Sequence, residues 1–303
     1  MKKNVLFFLF FVYIFIGYGQ SEFSIENCIK HLSSQELQGR DANSRGDSLT
    51  QLYLIHTFQS LGIPPLFNSY EQPFCSKMKK NRGGLNICSK NIMALIEGTD
   101  SLLKKEFIII CAHYDHVGIQ NWSMHPGAND NASGVAGILY LAQKFKANPL
   151  KRSVMIICFG AEEKGLLGST YFVKNPPFPL KNIYFVVNFD MIGKYRQEGT
   201  VYYQGEATVA PFHDLLEKYA PKYKMKFDKS PYQHLEGSDH YPFYKKKIPI
   251  LYFNTGMDWD NYHKPSDIPA KIDIQGIEMI SNVVFDIITD LSHRNEKIKF
   301  KKK

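Results

Sequence analysis

The sequence has no apolar run long enough to cross a bilayer. Its main one, Val5 to Ile16, holds about twelve apolar residues against the roughly 20 that a span requires. No segment repeats itself, which removes solenoids and propellers. Cysteine is scarce, with five in 303 residues. An odd count cannot pair completely within one chain, so this is not a small scaffold stapled by disulfides. No cysteine follows the apolar N-terminal stretch, so lipid attachment there has no support. The surplus of positive charge, +8, lacks a patch to match it. Lys2 and Lys3 lie at the N-terminus, and Lys297, Lys299, Lys301, Lys302 and Lys303 crowd the other end. A solvated tail accounts for the excess better than a nucleic-acid groove does.

What is present is an ordinary globular composition, 44% hydrophobic and 22% charged, in a chain long enough for one large α/β domain. Two lysines, an apolar core and the small, polar stretch Gly17-Tyr18-Gly19-Gln20 have the layout of a secretory signal. We therefore expect residues 1–19 to be removed on export to the periplasm or medium, and residues 20–303 to form a catalytic domain with a basic tail. Cys111 and Cys158 sit in apolar runs as small hydrophobes. Cys75 and Cys88 flank a polar segment and could close a loop, with Cys28 a competitor for either partner.

Helical spacing is predicted for Phe23 to Leu32, Ser48 to Leu61, Ala132 to Lys146, Leu166 to Val173, Ala210 to Ala220 and Ile274 to Leu291. Strands are predicted for Asn91 to Glu97 and Phe107 to Cys111, as neighbours, and for Ser153 to Phe159, Ile183 to Phe189 and Pro249 to Phe253. Alternating strands and helices specify a single α/β domain with a largely parallel central sheet.

Phe107 to Gly134 is the stretch around which the chain is organised. A continuous apolar strand stops at His113-x-Asp115, crosses a polar loop and enters a helix through the turn containing Asp130. Open α/β sheets place ligands at the carboxyl ends of their strands. Asp130, Glu163 and Asp190 also adjoin strand ends or the loops after them, and His263 sits in the late loop DNYHKPSD. Each alone is weak, because strand-end histidines and turn aspartates are common punctuation. Together, two histidines and three carboxylates form a nitrogen and oxygen set suited to zinc, too large for one tetrahedral ion. Sharing one carboxylate would give each of two ions three protein ligands, leaving positions open for water or substrate.

From LSSQELQGR through AHYDHVG, GANDNASG, FGAEEKGLLGS, NFDMIG and SDHYPF to NYHKPSD, the chain resembles the M28 zinc aminopeptidases. The resemblance implies that His113 and Asp190 hold one zinc, Glu163 and His263 the other, and Asp130 bridges them. Asp115 matches the carboxylate that orients His113, in keeping with the habit of ligating histidines to donate their second N–H. Glu162 matches the general base, taking a proton from the attacking water and returning it to the leaving amine. Asp239 and His240 match a Ser-Asp-His motif whose histidine supports the structure or could stabilise a reacting oxygen, and the implied fold is a single three-layer domain with a twisted, largely parallel mixed sheet between helices. A cis peptide at Asp130-Asn131 is implied as well. Many family members carry two aspartates where this chain has Asp130-Asn131, so the local charge is lower here. Peptides with a free N-terminus are the implied substrates. A glutaminyl cyclase, which shares the fold and uses a single zinc, is the alternative enzyme. A non-catalytic binding domain would have lost ligands or base, and both are intact. Tyr202, Tyr203, Tyr232, Tyr241, Phe243, Tyr244, Tyr252 and Trp259 are candidates for pocket walls, at least half of them for packing instead.

Sequencing the N-terminus of the exported protein tests the leader. The expected start is near Gln20, and a secreted chain that still carries Lys2 and Lys3 would contradict it.

Overall fold

The computed structural model describes residues 23–78, 83–231 and 235–301. The expected leader lies outside these residues, as do Lys302 and Lys303 of the basic tail. Helices α1 (Ile25–Leu32) and α2 (Arg45–Ser60) start where Ser24 and Ser44 accept from the N–H groups of Asn27 and Asp47. Such caps satisfy first-turn donors that have no helical partner. The cap at Ser44 starts α2 ahead of its apolar periodicity.

Strands β1 (Glu71–Lys77) and β2 (Asn86–Ile96) form an antiparallel hairpin in which Cys75 faces Cys88, and the two are disulfide-bonded. Cys28, Cys111 and Cys158 are free and buried. β1 lacks the apolar alternation that betrays a strand, and Pro73 suits it to the sheet edge it occupies. Then follow β3 (Phe107–His113), the small hairpin β4 (Ile119–Gln120) and β5 (Ser123–Met124), α3 (Gly134–Ala147), β6 (Ser153–Phe159), α4 (Leu167–Lys174) and β7 (Ile183–Phe189). The remainder comprises α5 (Tyr195–Glu198), β8 (Val201–Gln204), α6 (Phe212–Tyr219), β9 (Phe227–Lys229), α7 (His240–Lys245), β10 (Ile250–Asn254) and α8 (Ile274–Ser292).

The main sheet has the order β1-β2-β6-β3-β7-β10-β8-β9. Its centre, β6-β3-β7-β10, is parallel, and antiparallel pairs flank it on both sides. One sequence expectation is corrected here. β2 and β3 are not neighbours, because β6 lies between them and pairs antiparallel with β2 and parallel with β3. All seven residues of β6 are buried, so its backbone groups need partners on both edges, and a central position supplies them.

Side chains of alternate strand residues enter two cores. Ile108, Ile110, Val154, Ile156, Phe185 and Val187 pack against α1, α2, α3, α6 and α8, whereas Ile109, Met155, Ile157 and Val186 meet α4 and α7. Each such side chain removed from water contributes about 1.5–3 kcal/mol. This is the three-layer arrangement that the resemblance implied.

Arg40 ties the α1 end of the molecule to the loops beyond β3. It is fully buried and donates to the carbonyls of Tyr114 at 2.8 Å, Pro126 at 2.7 Å and Gly127 at 2.9 Å, and to that of Leu32. Burial pushes its guanidinium down to about 10, opposed by Asp130, Asp267 and Asp115, so it stays charged at neutral pH. Arg40→Met would keep much of the volume and leave these acceptors without a donor. Each buried unsatisfied group costs about 1–3 kcal/mol, so a loss of about 3 kcal/mol or more is expected. The urea midpoint reads it, and an unchanged midpoint would show that the carbonyls find other donors.

Candidate metal centre

Three adjacent parallel strands, β6, β3 and β7, end at one rim, and their sequels form the site. His113 is the last residue of β3, Asp190 follows β7, and Glu162 and Glu163 follow β6 after a short turn. β10 ends at the same rim, and the loop beyond it returns His263. Ala161, Met191 and His263 all adopt left-handed backbone conformations, with φ of 57°, 59° and 53°. Non-glycine residues in this region cluster at functional sites, where the turn re-aims the side chains beside them.

The five expected ligands meet. His113 Nε2 lies 3.4 Å from Asp130 Oδ1 and 3.3 Å from Asp190 Oδ1. His263 Nε2 lies 3.1 Å from Asp130 Oδ2 and 3.0 Å from Glu163 Oε1. Asp130 thus presents one oxygen to each of two clusters. Ligand atoms bound at 2.0–2.1 Å to a tetrahedral zinc ion are about 3.3 Å apart, the separation found in both clusters. The donor set and its spacing fit zinc.

Charges at the site respond to one another. Burial opposes the charged form of His113, but Glu162, Asp190 and Asp130 hold its proton well above the ordinary histidine range. His263 is likewise opposed by burial and pushed up to about 10 by its hydrogen bonds to Asp130 and Glu163. Burial also opposes ionisation of Asp130, yet its hydrogen bonds with the histidines keep its carboxyl well below the usual range. In the metal-free chain, protons on the imidazoles supply the positive charge that the carboxylates require. Glu162 behaves oppositely. Burial, reinforced by Glu163, Asp239 and Asp190, raises its carboxyl well above the usual range, against the pull of His113.

Neutral donors hold the ligands in place. Asp267 accepts from the N–H of Asn129 at 2.9 and 3.0 Å and from that of Asp130 at 3.0 Å. Asn131 Oδ1 accepts from Gly134 at 2.9 Å and Met191 at 3.2 Å, while Nδ2 donates to the Phe189 carbonyl at 3.0 Å. An aspartate could not make the last bond, which accounts for Asn131 beside the shared carboxylate. Asn129 and Ser133 accept from Gly193 and Ile192, so the Asp130 loop is stitched to the chain around Asp190. A side chain at Gly134 would start 2.3 Å from Asn131 Oδ1 and 2.6 Å from the Phe189 carbonyl, so this seam requires glycine. The Asp130-Asn131 peptide is cis.

Asp115 serves a wider purpose than its motif implied. Its carboxylate accepts from the N–H groups of Glu162 at 2.9 Å and Glu163 at 3.2 Å. His113 Nδ1 is 3.1 Å from the Asp115 backbone carbonyl and 3.9 Å from its carboxylate. Asp239 and His240 are buried at the start of α7, where Asn188 Nδ2 lies 3.4 Å from His240 Nδ1. Burial and Asp190 push the Asp239 carboxyl up to about 6, against His113 and Ser169.

A cavity of about 280 Å³ opens onto both clusters, with Met191, Tyr252, Met257, Trp259 and Tyr262 among its walls and Glu162 beside the ligands. Of the aromatic residues expected there, Tyr252 and Trp259 line it. Tyr203 and Phe243 belong to the core, Tyr241 meets Glu236, Tyr244 packs on Phe300, and Tyr232 lies outside the described residues. His116 escaped the sequence reading: its Nδ1 is 3.2 Å from Glu163 Oε1 and 3.7 Å from Asp130 Oδ2. Its place in AHYDHVG, three residues after His113, was the available clue. Asp267 was hidden likewise in NYHKPSD, since a carboxylate that grips backbone has no spacing signature.

A three-layer α/β fold with two joined ligand clusters at its parallel rim defines the class, and relatives define the family. Residues 91–288 match the family model of peptidase family M28. The chain is 28% identical over 226 residues to aminopeptidase YwaD of Bacillus subtilis, covering 72% of this chain and 48% of that protein. It thus spans about half the length of this curated relative. The solved structure of a zinc aminopeptidase from Bacillus subtilis superposes with a TM-score of 0.72 at 17% identity, over 93% of this chain and 99% of the other. Porphyromonas gingivalis glutaminyl cyclase gives 0.74 at 18% identity, over 88% and 97%. The chain belongs to peptidase family M28.

Three carboxylates, Asp130, Glu163 and Asp190, crowd this rim, so removal of bound metal should loosen the loops that carry them. A strong chelator is expected to lower the melting temperature, and added zinc to restore it. Equal melting with and without metal would break the coupling between ion and fold.

Proposed function

We propose that the chain is a di-zinc aminopeptidase that hydrolyses the first peptide bond of substrates with a free N-terminus. The observation that carries this reading is the split presentation of Asp130, with one oxygen for each cluster. His113 and Asp190 would hold one ion, Glu163 and His263 the other, and Asp130 both. Bound there, zinc would polarise the scissile carbonyl and make water acidic enough to attack near neutral pH.

The remaining work falls to side chains. Glu162 would accept a proton from the attacking water and pass it to the leaving amine. Asp115 holds the backbone N–H groups of both glutamates, so the base and its ligating neighbour keep one relative position. Tyr252, Met257, Trp259 and Tyr262 give the cavity an apolar wall for the first side chain of the substrate. A cavity of only about 280 Å³ beside the ligand clusters favours cleavage at a chain end over cleavage within it.

We propose residues 20–303 as the exported catalytic unit. The apolar stretch after Lys2 and Lys3 and the Cys75–Cys88 disulfide both favour an oxidising compartment. Among the described residues no helix is long and apolar enough to cross a membrane.

Two variants separate the glutamates. Glu162→Gln keeps shape and removes a base, so zinc content and substrate binding should persist while turnover falls about 10²–10⁴-fold. Glu163→Gln exchanges an anionic ligand for a neutral one, so it should lose zinc and recover partly as zinc is raised. Zinc analysis and peptide turnover decide. Loss of zinc in Glu162→Gln alone would reverse the roles. Ammonia release from a Gln-initiated peptide with its backbone intact would replace hydrolysis by cyclisation.

A further inference from the structure

We propose that His116 is a fourth protein ligand to the ion held by Asp130, Glu163 and His263. With four protein ligands that ion would be retained, while the one at His113, Asp130 and Asp190, with three, would exchange. The inference rests on the two-ion reading and adds a difference between the ions.

The geometry is specific. His116 Nδ1 approaches Glu163 Oε1 at 3.2 Å and Asp130 Oδ2 at 3.7 Å, the same two atoms that His263 Nε2 meets at 3.0 and 3.1 Å. Both imidazoles therefore face one centre, with ring planes 80° apart and centroids separated by 5.4 Å. These four separations bracket the spacing of about 3.3 Å between ligands on a tetrahedral zinc ion. The ring is fully buried, and its other nitrogen, Nε2, meets no protein partner among the described residues, so Nδ1 and packing set its orientation. Packing is tight on one side: a Cβ at Gly127 would lie 2.6 Å from both Cγ and Cδ2 of the ring.

Among the described residues the other cluster offers only His113, Asp130 and Asp190 within ligand reach. Four protein ligands close a zinc site, whereas three leave a position for water or substrate. A role in which His116 merely donates to Glu163 would explain one short contact. It leaves unexplained why the same nitrogen also lies toward the Asp130 oxygen that His263 contacts.

Counting imidazoles per zinc distinguishes ligand from support. Wild-type chain is dialysed against graded chelator until one zinc remains, and X-ray absorption spectroscopy reads that ion. His113→Ala loaded with one equivalent of zinc provides the same count without relying on exchange. Two imidazoles per zinc are expected in both, falling to one when His116→Gln is added. Release of the retained zinc in His116→Gln should need at least about 10–100-fold less free chelator, the loss already produced by removing an outer partner. Near-UV circular dichroism checks that this variant keeps its packing. One imidazole on the retained ion, with two zincs bound to the wild type, overturns the fourth ligand and leaves the two-ion reading standing. A wild-type chain that takes up no zinc overturns both.

Discussion

The structure depends on holding like charges together. Asp130, Glu163 and Asp190 share one rim with Glu162 beside them, and carboxyl groups this close must either take up protons or have positive charge among them. Histidine protons serve in the metal-free chain, and metal would displace them. The rest of the molecule limits how far these groups can separate. Parallel β6, β3 and β7 stop side by side, so the distance between the groups they carry is set by strand spacing, not by loop conformation.

Precision comes from a surrounding shell of hydrogen bonds. Asp115 and Asp267 accept from backbone N–H groups of the very residues that line the clusters. Asn129, Asn131 and Ser133 tie the Asp130 loop to the segment after β7. Arg40 gathers the carbonyls of Pro126 and Gly127 from below. A site held in this way resists the relaxation that would let mutually repelling carboxylates drift, and such outer partners commonly affect metal affinity.

The centre is also asymmetric. One cluster has a histidine at its partly exposed margin, His263, and a second, His116, in the buried turn after β3, whereas the other has His113 alone among the described residues. Stacking of Tyr262 on His263, with centroids 3.9 Å apart, joins the cavity wall to a ligand, so the shape of the pocket and the aim of that ligand are linked.

The sequence by itself determined the layers and singled out most of the residues that meet at the rim. β6 and β7 are continuous apolar runs, and their observed ends coincide with those read from the pattern, because burial on both faces leaves no polar interruption. His113, Asp130, Glu163, Asp190 and His263 were legible because acidic and imidazole groups at successive strand ends have few other uses in combination. Strand order was decided only by tertiary structure: the insertion of β6 between β2 and β3 depends on which edges need partners, and local pattern does not encode that. β1, β8 and β9 were illegible for a related reason: they lie at or beside the sheet's edges and bury too few of their residues to leave a continuous apolar run in the sequence. His116, Asp267 and Asn131 acquired roles only on folding. Their partners are a shared oxygen, two backbone amides and a distant carbonyl, contacts fixed by proximity in space and invisible to spacing along the chain.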